Sequence, residues 1–549
     1  MRRLTTLLLL LLAIHASAQS ISDNDKLASL GKVWGLLKYY HPVVAKAKLD
    51  WDKELMNHID PVLATHNKQE LSRVYLDWIA GLGKAKYHTS SAPQSDRYSN
   101  YLDTSWISDH SLFTDSLSAL LSTIQHNSKL KRNHYAHRML FGFAVMRLKH
   151  EDPYEDSLYP SAGMRLLALY RYWNIINYFY PYKNIIDAKW NDVLGEMIPV
   201  FRDAKDTIAY NIAIRELTAK IDDSHAALYN KYTSQFFGGK TPPIMYDIID
   251  DKAIVTAFYN DTLAALDDIR YGDIISEVNG QTIPQIMAKY RRYNGASNEP
   301  TRILRSSHGL IFAGGGDVCN IAYERNGVAA TKTIHKYTIQ ALHYTHQKDS
   351  SAPSKILESD IGYVNMGTLT KKQVKSVMRD MINTNAIIFD VRNYPNGTLY
   401  KVCRYLNPHA TPFVKFTIQA RNHPGMFTKF TTYKCGYKNK HYYKGKVIVL
   451  FNASTQSHAE FTCMALKTAP NVTCIGSQTA GADGDVINIV LPGNNKTWMT
   501  GLGVFYPDGT PTQRIGIVPD IKITPTIAGI REHRDEVLDR AIELAKTGK

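Results

Sequence analysis

The stretch from Gly445 to Gly484 holds the residues best suited to covalent chemistry. Val447-Ile448-Val449-Leu450-Phe451 is apolar, β-branched and as long as a buried strand. The run breaks into polar residues from Asn452 to Glu460, then turns helical in pattern through Phe461, Met464, Ala465 and Leu466. A strand that stops sharply before a helix lifts its turn side chains above the sheet and aims backbone N–H groups from the helix start. A serine nucleophile beside an oxyanion site needs that geometry. An ordinary polar strand–helix turn has the same pattern, so this segment alone does not separate the two. A second cluster is Lys220-Ile-Asp222-Asp223-Ser224-His225-Ala226. A carboxylate or hydroxyl beside an imidazole fixes its tautomer and makes it a base. Asp222 and Asp223 serve equally well as helix caps or as partners of His225.

The elements that must position these groups follow from periodicity. Residues 26–85 and 161–230 are both helical in pattern, and they resemble each other. Leu27, Leu30, Trp34, Leu36, Tyr40 and Pro42 recur as Leu166, Leu169, Trp173, Ile175, Phe179 and Pro181, each 139 residues later. Trp51-Asp52 recurs as Trp190-Asn191. Two copies make a duplicated helical unit, not a solenoid. Only the second ends in the Asp-Asp-Ser-His cluster; the first has Gly83-Lys84-Ala85-Lys86 there. His88–Ser95 has a loop composition. Short strands are expected over 240–345, with a hairpin turn at Asn279-Gly280. Gly314-Gly315-Gly316 lacks the Lys-Ser/Thr of a phosphate loop and is expected to be a turn. A linker over 348–355 leads into alternating strands and helices from Ile361, the pattern of an α/β core. Its expected strands include Trp498–Tyr506 and Ile515–Ile523, and Asp535–Ala545 is expected to be a terminal helix.

With 549 residues the chain is too long for one core. Arg2-Arg3, the Leu7–Leu12 run and Ala16-Ser17-Ala18 read as an export signal, and nothing later is long and apolar enough to span a bilayer. The five cysteines are too scattered for a disulfide framework. Cys463 and Cys474 bracket the helix after Ser457 and are candidates to pair, but buried free thiols are the expectation. No pair has metal-ligand spacing, and no cofactor is expected. Net charge is +15, with a dense basic stretch over Lys434–Lys446. An exported chain rarely meets nucleic acid, so the charge is read as a solvated face or as contact with an anionic envelope surface or acidic substrates.

Several short motifs, in this order, resemble those of the tail-specific (carboxyl-terminal processing) serine peptidases. They are Asp222–His225, Gly272–Gly280, Ile361–Val364, Asp390–Gly397, Ser457–Glu460, Gly476–Gly481 and Gly516–Ile521. Tyr271–Ile283 is similar to a PDZ signature, although the usual carboxylate-capturing loop is not visible. The resemblance spans about residues 160–526. It implies a multidomain chain with a crotonase-like α/β peptidase core, a PDZ-like β-rich insert and the duplicated helical region in front. The expected divisions are 1–18 signal, 19–150 and 151–235 helical units, 240–345 PDZ-like, 355–526 core and 527–549 C-terminal helix.

Carried over residue by residue, the resemblance makes Ser457 the nucleophile, with Ser454 a turn too early. The oxyanion hole falls on the N–H of His458 and that of Gly397 or Asn396. Thr479–Gly484 has no lysine where the Ser–Lys branch keeps its base. The chain is therefore closer to the tricorn-core and retinoid-binding-protein-like branch, where a Ser-His pair ends the helical domain. Ser224-His225 matches that pair. The tricorn-type orienting Glu falls on Gln513. These assignments imply an exported serine-type endopeptidase acting on polypeptides, with His225 as base and Ser224 and Gln513 orienting the site. His458 is the alternative base. A weakly active or inactive peptide-binding protein on the same fold is the competing expectation, and a scaffold recruiting partners through residues 240–345 is a third. Peptide-binding residues and oligomeric state are not legible.

Overall fold

A computed structural model of the chain describes residues 21–85, 87, 98–126, 133–138, 145–343, 349–420 and 423–548. The expected export signal and the His88–Ser95 loop lie outside the described residues, as does Lys86.

The duplication is visible residue for residue. Helices α1 (Asp23–Tyr40), α2 (Trp51–Leu63) and α3 (Lys68–Gly81) are followed 139 positions on by α4 (Ala162–Phe179), α5 (Trp190–Arg202) and α6 (Thr207–Ala219). In each copy two tryptophans lock the first helix to the second. Trp34 Nε1 donates to the Trp51 carbonyl and Trp51 Nε1 to that of Trp34; Trp173 and Trp190 do the same. The copies cross through equivalent residues, Gly31 on Tyr170 and Gly35 on Asn174. A Cβ on Gly35 would lie 1.8 Å from the Asn174 side-chain oxygen, so this crossing needs glycine. It is the geometry of an isologous dimer within one chain.

An antiparallel sheet follows, from Ile244–Ile249 to Val328–His335, with its own core around Ile275, Ile283 and Ile321. The Asn279-Gly280 turn is formed by two residues with positive φ, 50° and 72°, as a tight hairpin requires.

The α/β region centres on a sheet in which Ser354–Leu357 precedes β1 (Ile361–Asn365), β2 (Ala386–Asp390), β3 (Lys446–Phe451) and β4 (Val472–Gly476), with Ile521–Lys522 at the far edge. The outer Ser354–Leu357 strand is antiparallel; the other pairs are parallel. Strand β2 is buried on both faces. Ala386 and Ile388 pack on Val537, Ala541 and Leu544 of the terminal helix, Glu536–Thr547, and Ile387 and Phe389 belong to the large core on the opposite face. Helix α7 (His458–Leu466) follows β3. The chain then forms a hairpin of β5 (Val486–Leu491) and β6 (Asn495–Thr500).

Two expectations need correcting. The strand read over Trp498–Tyr506 breaks at Gly501: β6 pairs with β5, while Gly503–Phe505 pairs with Thr411–Gln419 in another sheet. The strand read over Ile515–Ile523 is extended only at Ile521–Lys522, because Gly516 and Ile517 are drawn into turn contacts with Thr512 and Thr479. All five cysteines, Cys463 and Cys474 included, are buried free thiols.

Candidate active site

Ser457 stands between β3 and α7 with φ 58° and ψ −122°, a conformation that strains any non-glycine residue. Glu460, one turn into the helix, imposes it. Its carboxylate accepts from the N–H groups of Ser457 (3.2 Å), Gly481 (2.8 Å) and Ala482 (3.0 Å) and from the Thr479 hydroxyl (2.5 Å). Ser457 N–H is shared with the Ala482 carbonyl at 3.0 Å. Burial lifts Glu460 above the usual carboxyl range, against the pull of these four donors. Ser454, the earlier hydroxyl, is exposed and occupied in the turn, donating to Arg392 O and Asn452 Oδ1.

Around Gly397 (φ 69°) the chain passes against His458: a Cβ there would lie 3.9 Å from His458 Nε2 and 3.4 Å from Lys371 Nζ. Neither the His458 N–H nor the Gly397 N–H donates to a backbone carbonyl among the described residues. The Asn396 side chain instead bonds Gly367 O at 2.6 Å. Burial, with Lys371 nearby, lowers the His458 pKa, while Asp485 opposes the shift.

The helical region brings His225 to the same place. Gln456, just before Ser457, donates to the carbonyl of Ser224, just before His225, at 3.2 Å. Asp485 acts electrostatically on both His225 and His458. Of the two acids that the sequence left open, Asp223 serves His225. It is buried and accepts from the His225 N–H at 2.9 Å. Asp222 turns away to accept from Asp187 N–H. Thr500 meets both Asp223 and the imidazole: its N–H and hydroxyl donate to Asp223 at 2.6 and 2.9 Å, and its Oγ lies 2.8 Å from His225 Nδ1. His225 Nε2 is buried and has no hydrogen-bond partner, so it is not bonded to the Ser457 hydroxyl in this state.

Ser224 and Gln513 are joined to each other but not to the imidazole. Ser224 exchanges two hydrogen bonds with Ser297, at 2.8 and 2.9 Å, and donates to Ala480 O. Gln513 Nε2 reaches Ser297 Oγ, Tyr180 Oη and Asp222 O at 3.2–3.4 Å. The place beside His225 Nδ1 is taken by Thr500. Asp390 and Arg392 form a structural anchor, with Arg392 also bonded to Asp535 ahead of the terminal helix.

This strand–turn–helix lies within a stretch that a family model matches: Peptidase family S41, over residues 360–523. The chain carries a peptidase family S41 domain. Outside that domain the similarity is one of fold. The structure of mature CPAF superposes with a TM-score of 0.56 at 14% identity, covering 71% of this chain and 99% of that one. Mature CPAF complexed with lactacystin gives 0.54 at 13%, covering 70% and 99%. The photosystem II D1 C-terminal processing protease gives 0.36 at 16%, covering 68% and 98%. No curated protein sequence matches the chain. The S41 domain supplies Ser457, His458 and Gly397, whereas His225 comes from outside it. No helix among the described residues is long and apolar enough to cross a membrane.

Proposed function

We propose that this chain is an exported serine-type endopeptidase that hydrolyses polypeptides through Ser457 with His225 as base. The observation that carries the reading is the strained Ser457 turn, inside a stretch matched by a peptidase family and tied through Gln456 to the segment of a half-buried imidazole whose Nε2 is unpartnered. His225 Nε2 takes the Ser457 proton as Oγ attacks the scissile carbonyl. The oxyanion forms against the His458 and Gly397 N–H groups; losing one such donor typically costs about 3 kcal/mol of barrier. His225 then protonates the leaving amine, and water resolves the acyl-enzyme by the reverse steps. A closing motion must first bring Ser457 Oγ to Nε2, the kind of step that gates many enzymes. Under this reading residues 240–345 are a PDZ-like peptide-binding domain and residues 355–526 a crotonase-like core.

The absent Ser457–His225 bond favours one rival, a non-catalytic peptide-binding protein on the same fold. A fluorophosphonate probe separates the two. Wild type should label at Ser457, Ser457→Ala should not, and His225→Ala should label at a rate reduced by orders of magnitude, because such groups act as a unit. An unlabelled wild type rules out the hydrolase.

A further inference from the structure

We propose that Thr500 is the positioning residue of the base: its hydroxyl, relayed from Asp223, sets the tautomer of His225. The inference rests on His225 being the base and concerns how the fold prepares it.

The Thr500 hydroxyl has one hydrogen. Asp223 already accepts the N–H groups of His225 and Thr500, and its Oδ1 accepts that hydroxyl at 2.9 Å. A carboxylate receiving three donors has no proton to return. Thr500 Oγ is then left only as an acceptor towards His225, and the 2.8 Å contact requires the proton on Nδ1. Nε2 therefore carries the lone pair, and it is the nitrogen that is buried and unpartnered. When Nε2 takes the serine proton, the resulting imidazolium already has its second N–H bonded. Asp223 Oδ1, 3.6 Å from Nδ1, supplies the opposite charge.

Backbone register makes the placement deliberate. Strand β6 runs beside the segment that carries His225: Thr497 Oγ donates to Ala227 O at 2.8 Å, and Asn230 Nδ2 to Asn495 Oδ1 at 3.0 Å. Thr500, the last residue of the strand, is fully buried opposite Asp223 and His225.

The test is the second-order rate of fluorophosphonate labelling of Ser457 in the full chain, measured across pH. Thr500→Val keeps the shape and the backbone N–H but removes the hydroxyl. Labelling should fall ~10–100-fold, a part of the ~10²–10⁴-fold that proton-transfer assistance as a whole supplies. Its acid limb should move to lower pH, since the imidazolium loses its acceptor. Asp223 and Asp485, which act on His225, and Arg305, bonded to the Ser224 carbonyl beside it, remain, so the movement reports the hydroxyl. Thr500→Ser should recover to within ~3-fold of wild type, and Thr500→Ala replaces valine if valine is not accommodated. Valine or alanine labelling within ~3-fold of wild type, or an unmoved acid limb, overturns the role of Thr500 and leaves the peptidase intact. An unreactive wild type instead removes the peptidase reading, and this inference with it.

Discussion

Glu460→Gln tests whether the turn is held by four donors converging on one carboxylate. Glutamine has the same shape, but one oxygen becomes an NH2. Placed on the Oε1 side, that NH2 confronts Gly481 N–H and takes away the acceptor of the Thr479 hydroxyl, whose oxygen accepts from Ile517 N–H at 2.7 Å. On the Oε2 side it confronts Ala482 N–H, while Ser457 N–H keeps the Ala482 carbonyl. The cheaper arrangement strands Ala482 N–H and at least one amide N–H in a fully buried site. At about 1–3 kcal/mol per unsatisfied donor, the turn loses about 2–6 kcal/mol. Hydrogen exchange read by mass spectrometry on the 477–484 segment should show protection falling by ~30-fold or more. The opposing force is the burial of the carboxyl, which lifts Glu460 above its usual range. If desolvation outweighed the donors, the neutral amide would slow exchange. Unchanged or slower exchange in Glu460→Gln refutes the converging-donor account.

Two further outcomes follow from the same turn. Ser457→Gly should be more stable than Ser457→Ala by about 1 kcal/mol in chemical denaturation, because glycine relieves a strain of about 1–3 kcal/mol and gives back part of it through unfolded-chain entropy; equal or reversed stabilities would show an unstrained turn. Asp483 is buried, its Oδ2 has no partner, and burial with Glu460 nearby raises its pKa well above the usual range. A carboxyl raised in the folded state contributes fully below its unfolded pKa and loses that contribution as pH rises. Asp483→Asn should therefore match wild type in unfolding near pH 4 and exceed it increasingly at neutral and higher pH; a gap that does not widen with pH refutes the buried-acid assignment.

The duplicated helices were legible because apolar periodicity and two tryptophans repeat at a constant offset, and local patterns of that kind survive in sequence. The Ser457 turn was legible for the same reason, a β-branched run meeting a helical one. Thr500 was not: it touches His225 from 275 positions away, and a threonine in a strand carries no mark of that use. Asp222 and Asp223 are adjacent and alike in composition; only the positive φ of 49° at Asp222 turns one carboxylate towards Asp187 and leaves the other under the imidazole. Glu460 stands in the sequence only as the last residue of a polar run, since its other donors lie some twenty residues on, beyond the reach of helical periodicity. Gln513 was placed by analogy of position, and Ser297, absent from any local pattern, is what joins it to Ser224.

The hairpin from Ala482 to Thr500 holds the turn that bears the nucleophile at one end and the imidazole at the other. The proposed site is therefore spliced from stretches near 225, 457 and 500, and no short contiguous fragment contains it. A chain emerging during synthesis has a serine and a histidine but, on the proposed reading, no catalyst. Under the proposed reading, hydrolysis would switch on only when β6 has docked, and the order of assembly would spare the protein from digesting itself.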